Sequence, residues 1–156
     1  MPRLLLQSFV PASVDQVWEQ VTACSATGRI DRRALREKYG QLIAQDGDTY
    51  TFRETLVGED APITWRCSFD RPTQRVMAAE GKNWADRYDY FQPVEGGTWW
   101  SIEWVPKAKG LRAYTLWLGF QLRTKRRTFR ETVQPVLDHF RVGTNRKGTG
   151  QEDPDV

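Results

Sequence analysis

The sequence predicts a single α+β domain in which a seven-stranded, curved antiparallel sheet packs with a long C-terminal helix, with two short helices after the first strand. Three observations predict this fold class. A chain of 156 residues is long enough to form one hydrophobic core. Between residues 41 and 106, apolar and polar residues alternate in short runs separated by turn signals. After residue 110, apolar residues return to helical spacing and keep it to about residue 140.

The N-terminal part of the chain predicts one strand and two helices. Residues 4–10 form a short apolar run that ends at Pro11. Ser13 and Gln16 have the spacing of a capping box, which indicates the start of a helix. The apolar stripe of this helix consists of Val14, Val17, Trp18 and Val21. A second helix, with a weaker apolar pattern, follows and ends at Gly40.

Six further strands are expected between residues 41 and 106. Turn-forming residues separate them at positions 46–48, 58–62, 71–73, 81–83 and 95–97. In the third strand, Tyr50, Phe52 and Leu56 alternate with polar residues, and the fourth strand has the same pattern. One buried face and one solvated face are typical of an antiparallel sheet.

The last helix is apolar on two sides of its first half. The longer stripe, which we expect to face the sheet, consists of Leu111, Tyr114, Leu118, Leu122, Phe129, Val133, Val136, Leu137 and Phe140. Leu116, Trp117 and Phe120 lie on the opposite side. A surface helix is not expected to be apolar all round, so the second side is either covered or offered to a partner.

Two boundaries are predicted near the C terminus. Pro135 lacks a backbone N–H, which predicts a kink or break between residues 131 and 135. The residues after 142 are rich in glycine and polar side chains. We therefore place the domain at residues 1–142 and expect a disordered tail at 143–156.

The basic residues are concentrated in one stretch of the chain. Overall there are 23 basic and 20 acidic side chains, a formal net charge of +3. Five basic residues follow one another without an acid between them: Arg123, Lys125, Arg126, Arg127 and Arg130. The remaining chain is slightly acidic, and the stretch has few aromatics to stack on bases, so no nucleic-acid partner is expected.

Cysteine use and hydropathy predict the compartment. Cys24 and Cys67 have neither metal-ligand spacing nor a disulfide pattern, which fits a reducing environment. No run of about 18 apolar residues is present. We expect a cytoplasmic protein.

A family resemblance rests on residues 11–21, Pro-Ala-Ser-Val-Asp-Gln-Val-Trp-Glu-Gln-Val, and on the arginine-rich final helix. Both resemble the START-like, or SRPBCC, superfamily, which includes polyketide cyclases and lipid-transport proteins. The resemblance implies a helix-grip fold and a cavity between the sheet and the last helix that receives an apolar or aromatic small molecule. The matching motifs are structural and contain no catalytic signature.

Alternation in the strands suggests which residues line such a cavity. Glu54 and Asp86 each lie in an otherwise apolar row, where a carboxylate must be paired, protonated or hydrated. Each is therefore either a polar anchor for a ligand or part of a strand end or ion pair. The predicted ligand-binding residues are Phe52, Glu54, Trp65, Trp84, Asp86, Tyr88, Tyr90, Trp100, Trp104, Tyr114, Leu118 and Leu122.

Binding or carriage of a lipid-like or polyketide-like small molecule is the favoured function. The single histidine, His139, has no Ser or Cys motif near it, and no nucleotide or metal motif occurs, so we expect no cofactor and no metal and assign no catalytic residue. A cyclase or dehydratase remains an alternative, with Glu54 or Asp86 as base and Tyr88 or Tyr90 as acid. A protein-interaction module, a homodimer through the last helix and peripheral membrane contact also remain open.

Overall fold

The computed structural model describes residues 3–55, 61–80 and 85–147. The strands are β1 Leu4–Val10, β2 Gln41–Asp46, β3 Thr49–Glu54, β4 Ile63–Asp70, β5 Gln74–Ala79, β6 Ala85–Val94 and β7 Gly97–Pro106. The helices are α1 Val14–Thr22, α2 Arg32–Tyr39, α3 Leu111–Gly119, α4 Lys125–Thr128 and α5 Gln134–Lys147. Two π-helical turns, Phe120–Thr124 and Phe129–Val133, join the last three helices. We call the whole run 111–147 the C-terminal helix.

The sheet has the predicted seven strands. Their order is β1-β7-β6-β5-β4-β3-β2, and every pair is antiparallel. Strands β2 to β7 follow one another as sequential neighbours, whereas β1 pairs with β7. Strands β1 and β2 are therefore the two edge strands of the sheet, and the two short helices connect them in the chain. The predicted fold class is confirmed.

The first helix begins as its capping box predicts. The Ser13 hydroxyl accepts a hydrogen bond from the backbone N–H of Gln16, and the Gln16 side chain accepts one from the N–H of Ser13. Trp18 is fully buried, and its ring meets the rings of Phe69 and Phe91 edge-on. Helix α1 thereby closes one end of the core.

A hydrogen bond from one side-chain hydroxyl connects helix α2 to α1. Tyr39 donates a 2.6 Å hydrogen bond to the carbonyl of Thr22 and stacks on Phe52 with ring centroids 4.9 Å apart. Gly40 ends the helix at φ +94°, where an added Cβ would lie 2.5 Å from the carbonyl oxygen of Arg53. Only glycine fits there, so the turn from α2 into β2 is fixed by sequence.

Alternation correctly predicts the buried rows of most strands. Tyr50 and Phe52 of β3 and Trp100 and Ile102 of β7 are buried on the inner face. In β6, however, the prediction that Asp86, Tyr88 and Tyr90 face inward is wrong. The buried row of β6 is instead Ala85, Asp89 and Phe91, with Arg87 partly buried in the same row. A row that carries two charges is buried because its charges are paired, which its composition alone does not reveal.

The predicted inward face of the C-terminal helix is also wrong in its first half. Leu111, Tyr114, Leu118 and Leu122 are 81%, 58%, 50% and 73% exposed. The opposite side packs inward, with Ala113 and Phe120 buried and Leu116 and Trp117 half-buried. Both sides are apolar, so periodicity cannot decide between them. Contact of Phe120 with Trp104, at a centroid distance of 5.5 Å, fixes the orientation.

The second half of the helix agrees better with the sequence. Val133, Val136 and Leu137 are buried as predicted. The π-helical turn Phe129–Val133 ends just before Pro135, where a kink or break was expected. Helix α5 continues to Lys147, beyond the predicted domain end, and residues 148–156 of the predicted tail lie outside the described residues. No helix in the described parts of the chain is long and apolar enough to span a bilayer.

Candidate ligand-binding cleft

A cleft of about 400 Å³ lies between the inner face of the sheet and the helices. Its lining comes from α1, α2, strands β5 to β7 and the second half of the C-terminal helix. The lining residues are Gln20, Val21, Lys38, Tyr39, Arg75, Met77, Arg87, Trp100, Glu131, Thr132, Pro135 and Val136. The position between sheet and last helix is the one expected of a cavity, but the wall is charged as well as apolar.

A buried ion pair forms the floor of the cleft. Arg75 is 2% exposed and Asp89 is fully buried, and they lie opposite each other on β5 and β6. Nε and Nη2 of Arg75 donate to Oδ2 of Asp89 at 3.0 and 2.8 Å. Nη1 of Arg75 donates to the Val21 carbonyl at 3.1 Å and to the Tyr39 hydroxyl at 2.9 Å. The guanidinium thus ties the sheet to both short helices.

Asp89 also holds a second guanidinium. Arg87 donates to both of its carboxylate oxygens, at 3.0 and 2.8 Å, and Nε1 of Trp100 donates to Oδ1 at 3.1 Å. One carboxylate therefore accepts five hydrogen bonds. Burial disfavours its charge, but Arg75 and Arg87 outweigh that effect and hold the pKa of Asp89 below its ordinary value. Asp89 is ionised and fully occupied, so it is not available as a general base.

The floor of the cleft carries an excess of positive charge. Two guanidinium groups share one carboxylate, and 21% of the Arg87 side chain is exposed. Within the described part of the chain, Nη1 of Arg87 has no acceptor. Lys38 lines the mouth of the cleft, where desolvation and the charges of Arg75 and Arg87 lower its pKa to about 8. Glu131, on the helix side of the mouth, is paired with Arg127 at 2.8 Å.

The rest of the wall is aromatic and aliphatic. Trp100 is buried, and its ring stacks on Phe91 with centroids 6.2 Å apart. Met77 and Val136 face the cleft from the sheet and from α5. An apolar body placed against these side chains would have polar partners at one end.

Comparisons with known proteins identify the fold. No protein-family model and no curated protein matches the sequence. Among solved structures, DynU16 from the dynemicin biosynthetic locus aligns with a TM-score of 0.55 and 15% identity over 92% of this chain. Protein MLL2253 from Mesorhizobium loti aligns with a TM-score of 0.54 and 11% identity, over 88% of this chain and 97% of its own length. Protein NE0264 from Nitrosomonas europaea aligns with a TM-score of 0.53 and 14% identity, over 90% of this chain and 96% of its own length.

The protein has a helix-grip fold, which it shares with these solved structures. This confirms the fold that the resemblance of residues 11–21 implies. The chain spans about half of DynU16, because the alignment covers 48% of that protein. At these identities the likeness concerns the fold and carries no activity with it.

Within the helix-grip fold, Trp100 is the predicted site residue that lines the cleft. Phe52 is buried in the core beneath Tyr39. Glu54 and Trp65 are half-buried on the inner face, and Nε1 of Trp65 has no hydrogen-bond partner among the described residues. Neither of them lines the cleft.

Other predicted residues lie away from the cleft. Asp86, Tyr88 and Tyr90 are on the outer face of β6, where Asp86 is 3.7 Å from Nζ of Lys107 and the two tyrosine rings stack. Tyr114, Leu118 and Leu122 are on the outer side of the C-terminal helix. Trp84 lies outside the described residues.

Trp104 borders a different depression. This apolar groove of about 530 Å³ is formed with the first half of the C-terminal helix, including Leu116 and Phe120. It shares no lining residue with the cleft. A still larger depression, about 1340 Å³, is a wide surface groove between α1 and α2 that meets the cleft at Gln20 and Lys38.

Sequence reasoning missed Lys38, Arg75, Arg87 and Asp89. The signal that could have found them is complementary charge across the β5–β6 hairpin, because strand pairing brings Arg75 opposite Asp89. Tyr88 and Tyr90 flank Asp89 in the sequence. Their aromatic side chains favoured the prediction that the tyrosine row of β6, and not the row of Asp89, is buried.

Proposed function

We propose that the protein binds or carries a small molecule that has an apolar or aromatic body and an acidic group, in the cleft between the sheet and the C-terminal helix. Its volume of about 400 Å³ lies within the range of small-molecule sites. The observation that carries the proposal is the unequal charge of the floor, where Arg75 and Arg87 share Asp89.

The charges suggest how the ligand would be oriented. Arg87 is partly exposed to the cleft and keeps one nitrogen free of acceptors in the described chain, and Lys38 adds a second cation at the mouth. A carboxylate, phosphate or phenolate could accept hydrogen bonds from both. The body of the molecule would then lie against Trp100, Met77 and Val136.

Carriage is favoured over turnover by the state of the acidic groups. Asp89 is saturated with donors, and Asp86 is on the outer face. Polyketide-like acids and lipid-like acids both fit this combination of an apolar wall and a cationic floor.

Titration calorimetry with 2-naphthoate and with its methyl ester tests the proposal. We expect the acid to bind and the ester to bind at least tenfold more weakly, because the ester has no charge for Arg87 and Lys38. The Arg87→Gln variant should lose about tenfold to a hundredfold in affinity for the acid, equivalent to roughly 1.4–2.8 kcal/mol.

Arg66→Gln is the matched control, because Arg66 is exposed and lies in the outward row of β4. It should bind the acid as the wild type does. Equal affinity for acid and ester would contradict recognition of an acidic group but would still agree with binding of an apolar molecule. Failure of both probes and of a panel of fatty and aromatic acids would refute the proposed function itself.

A further inference from the structure

The outer side of the C-terminal helix carries large apolar side chains that nothing in the described chain covers. We call Leu111, Tyr114, Leu118 and Leu122 the outer stripe, and all four are at least half exposed. They recur at intervals of three or four residues, so they share one side of the helix. Exposed apolar patches of this kind mark sites of interaction.

The segment of chain that carries the outer stripe has charges of one sign. From residue 107 to residue 130 the chain contains no acid, and its eight basic residues are Lys107, Lys109, Arg112, Arg123, Lys125, Arg126, Arg127 and Arg130. The remaining chain has 15 basic and 20 acidic side chains. Arg123, Arg126 and Arg130 are exposed and form no ion pair with a described residue. They lie at the flanks of the helix, Arg123 beside the apolar groove at Phe120, and Arg126 and Arg130 beside Phe129. Arg127 is bridged to Glu131.

The sign of this charge argues against a second copy of the chain as the occupant. A symmetric dimer through the outer stripe would place two such basic segments against each other. The partner is therefore expected to be anionic. Both vesicles and acidic proteins meet that requirement.

Shape and composition favour a lipid surface over an acidic protein. The outer stripe stands on a convex helix, and three of its four members are leucines, which are under-represented among the anchors of protein interfaces. Acyl chains need no matching surface, and they accept leucine side chains from an amphipathic helix lying in the interface. Arginines beside such a helix meet anionic headgroups.

We propose that the outer stripe, with Arg123, Arg126 and Arg130, docks the protein on anionic membranes, with the first half of the C-terminal helix lying in the plane of the surface. This contact is separate from the cleft, whose lining includes no member of the outer stripe. It goes beyond the proposed function and does not depend on it.

Co-sedimentation with vesicles tests the docking. The full chain is mixed with vesicles of phosphatidylcholine alone and of phosphatidylcholine with phosphatidylglycerol. We expect binding to the anionic vesicles that weakens as salt is raised, and at least tenfold weaker binding to the neutral ones.

Two pairs of substitutions separate the apolar and the basic contributions. Leu118→Glu with Leu122→Glu, and Arg123→Glu with Arg126→Glu, should each lower vesicle binding at least tenfold. The matched controls are Val142→Glu, an exposed apolar residue of the same helix, and Arg29→Glu with Arg32→Glu near α2. These should bind as the wild type does. Circular dichroism and the melting temperature show that each variant is folded.

Each other result contradicts the docking. Equal binding to neutral and anionic vesicles would show that the basic residues do not contribute to docking. Absence of binding to both kinds of vesicle would show that the outer stripe does not dock on a lipid surface. Binding to polyglutamate without vesicle binding would assign the outer stripe to an acidic protein. A concentration-dependent dimer that Leu118→Glu with Leu122→Glu dissociates, without vesicle binding, would assign it to a second copy.

Discussion

The floor of the cleft and the outer side of the C-terminal helix depart from the usual distribution of residues in opposite directions. Strands β5 and β6 bury an arginine and an aspartate, whereas the helix exposes leucines. The buried charges are tolerated because each finds hydrogen-bond partners within the fold. The exposed leucines have no such compensation within the described chain. The buried charges are therefore satisfied within the fold, whereas the exposed leucines would be covered by the membrane contact that we propose.

The largest expected effect comes from leaving one buried charge unpaired. Asp89→Leu removes the acceptor of five hydrogen bonds and leaves Arg75 buried without its counter-charge. We expect a loss of about 3–5 kcal/mol in the free energy of unfolding, measured with urea. Asp46→Leu, at an exposed position in β2, serves as control and should change it by less than about 1 kcal/mol.

A double substitution sharpens that result. Arg75→Met with Asp89→Leu removes both charges, so the loss should be smaller than for Asp89→Leu alone. A double variant as unstable as the sum of the single ones would mean that the pair is not coupled, contrary to the hydrogen bonds.

The two sides of the C-terminal helix should differ in the cost of truncation. Phe120→Ala removes a buried ring that contacts Trp104 and should cost about 3 kcal/mol in the free energy of unfolding. Leu122→Ala, two residues further along, removes a side chain that is 73% exposed and should cost less than about 0.5 kcal/mol. Thermal unfolding of both variants checks this, and equal costs would contradict the orientation of the helix.

Acid sensitivity gives a smaller effect that isolates Asp89. Its pKa in the folded protein is held below the ordinary value of 3.8 by Arg75 and Arg87, against the opposing effect of burial. The unfolded chain therefore binds the proton first, and the stability contributed by the ionised carboxylate is complete above about pH 4 and lost as the pH falls below it. The free energy of unfolding of the wild type should fall more steeply between pH 4 and pH 2 than that of Asp89→Asn. Parallel curves would show that Asp89 is not ionised in the fold.

The sequence was sufficient for the parts of the fold that depend on local chemistry. The capping box at Ser13 and Gln16, the turn at Gly40 and the succession of hairpins from β2 to β7 each follow from residues close together in the chain. These elements account for the order of β2 to β7, whereas the pairing of β1 with β7 joins residues that are far apart in the chain. The antiparallel sheet could therefore be predicted from the residue patterns, and the helix-grip arrangement was implied by the resemblance of residues 11–21.

The candidate site could not be predicted because it depends on which of two similar faces is buried. In β6 the tyrosine row looked more apolar than the row of Arg87 and Asp89, and pairing with Arg75 reverses that preference. In the C-terminal helix both sides of the first half are apolar, and contact of Phe120 with Trp104 selects one. In both elements, a contact with a residue distant in sequence determines which face is buried.

The side chain of Arg87 allows the most direct test of the proposed binding. In a nuclear magnetic resonance titration with 2-naphthoate, the Nε–H signal of Arg87 and the indole N–H signal of Trp100 should shift together and saturate, because both groups line the cleft and both donate to Asp89. If both signals stay unmoved while the acid binds elsewhere, or if no signal moves, the cleft is not the binding site and the account of its function is wrong.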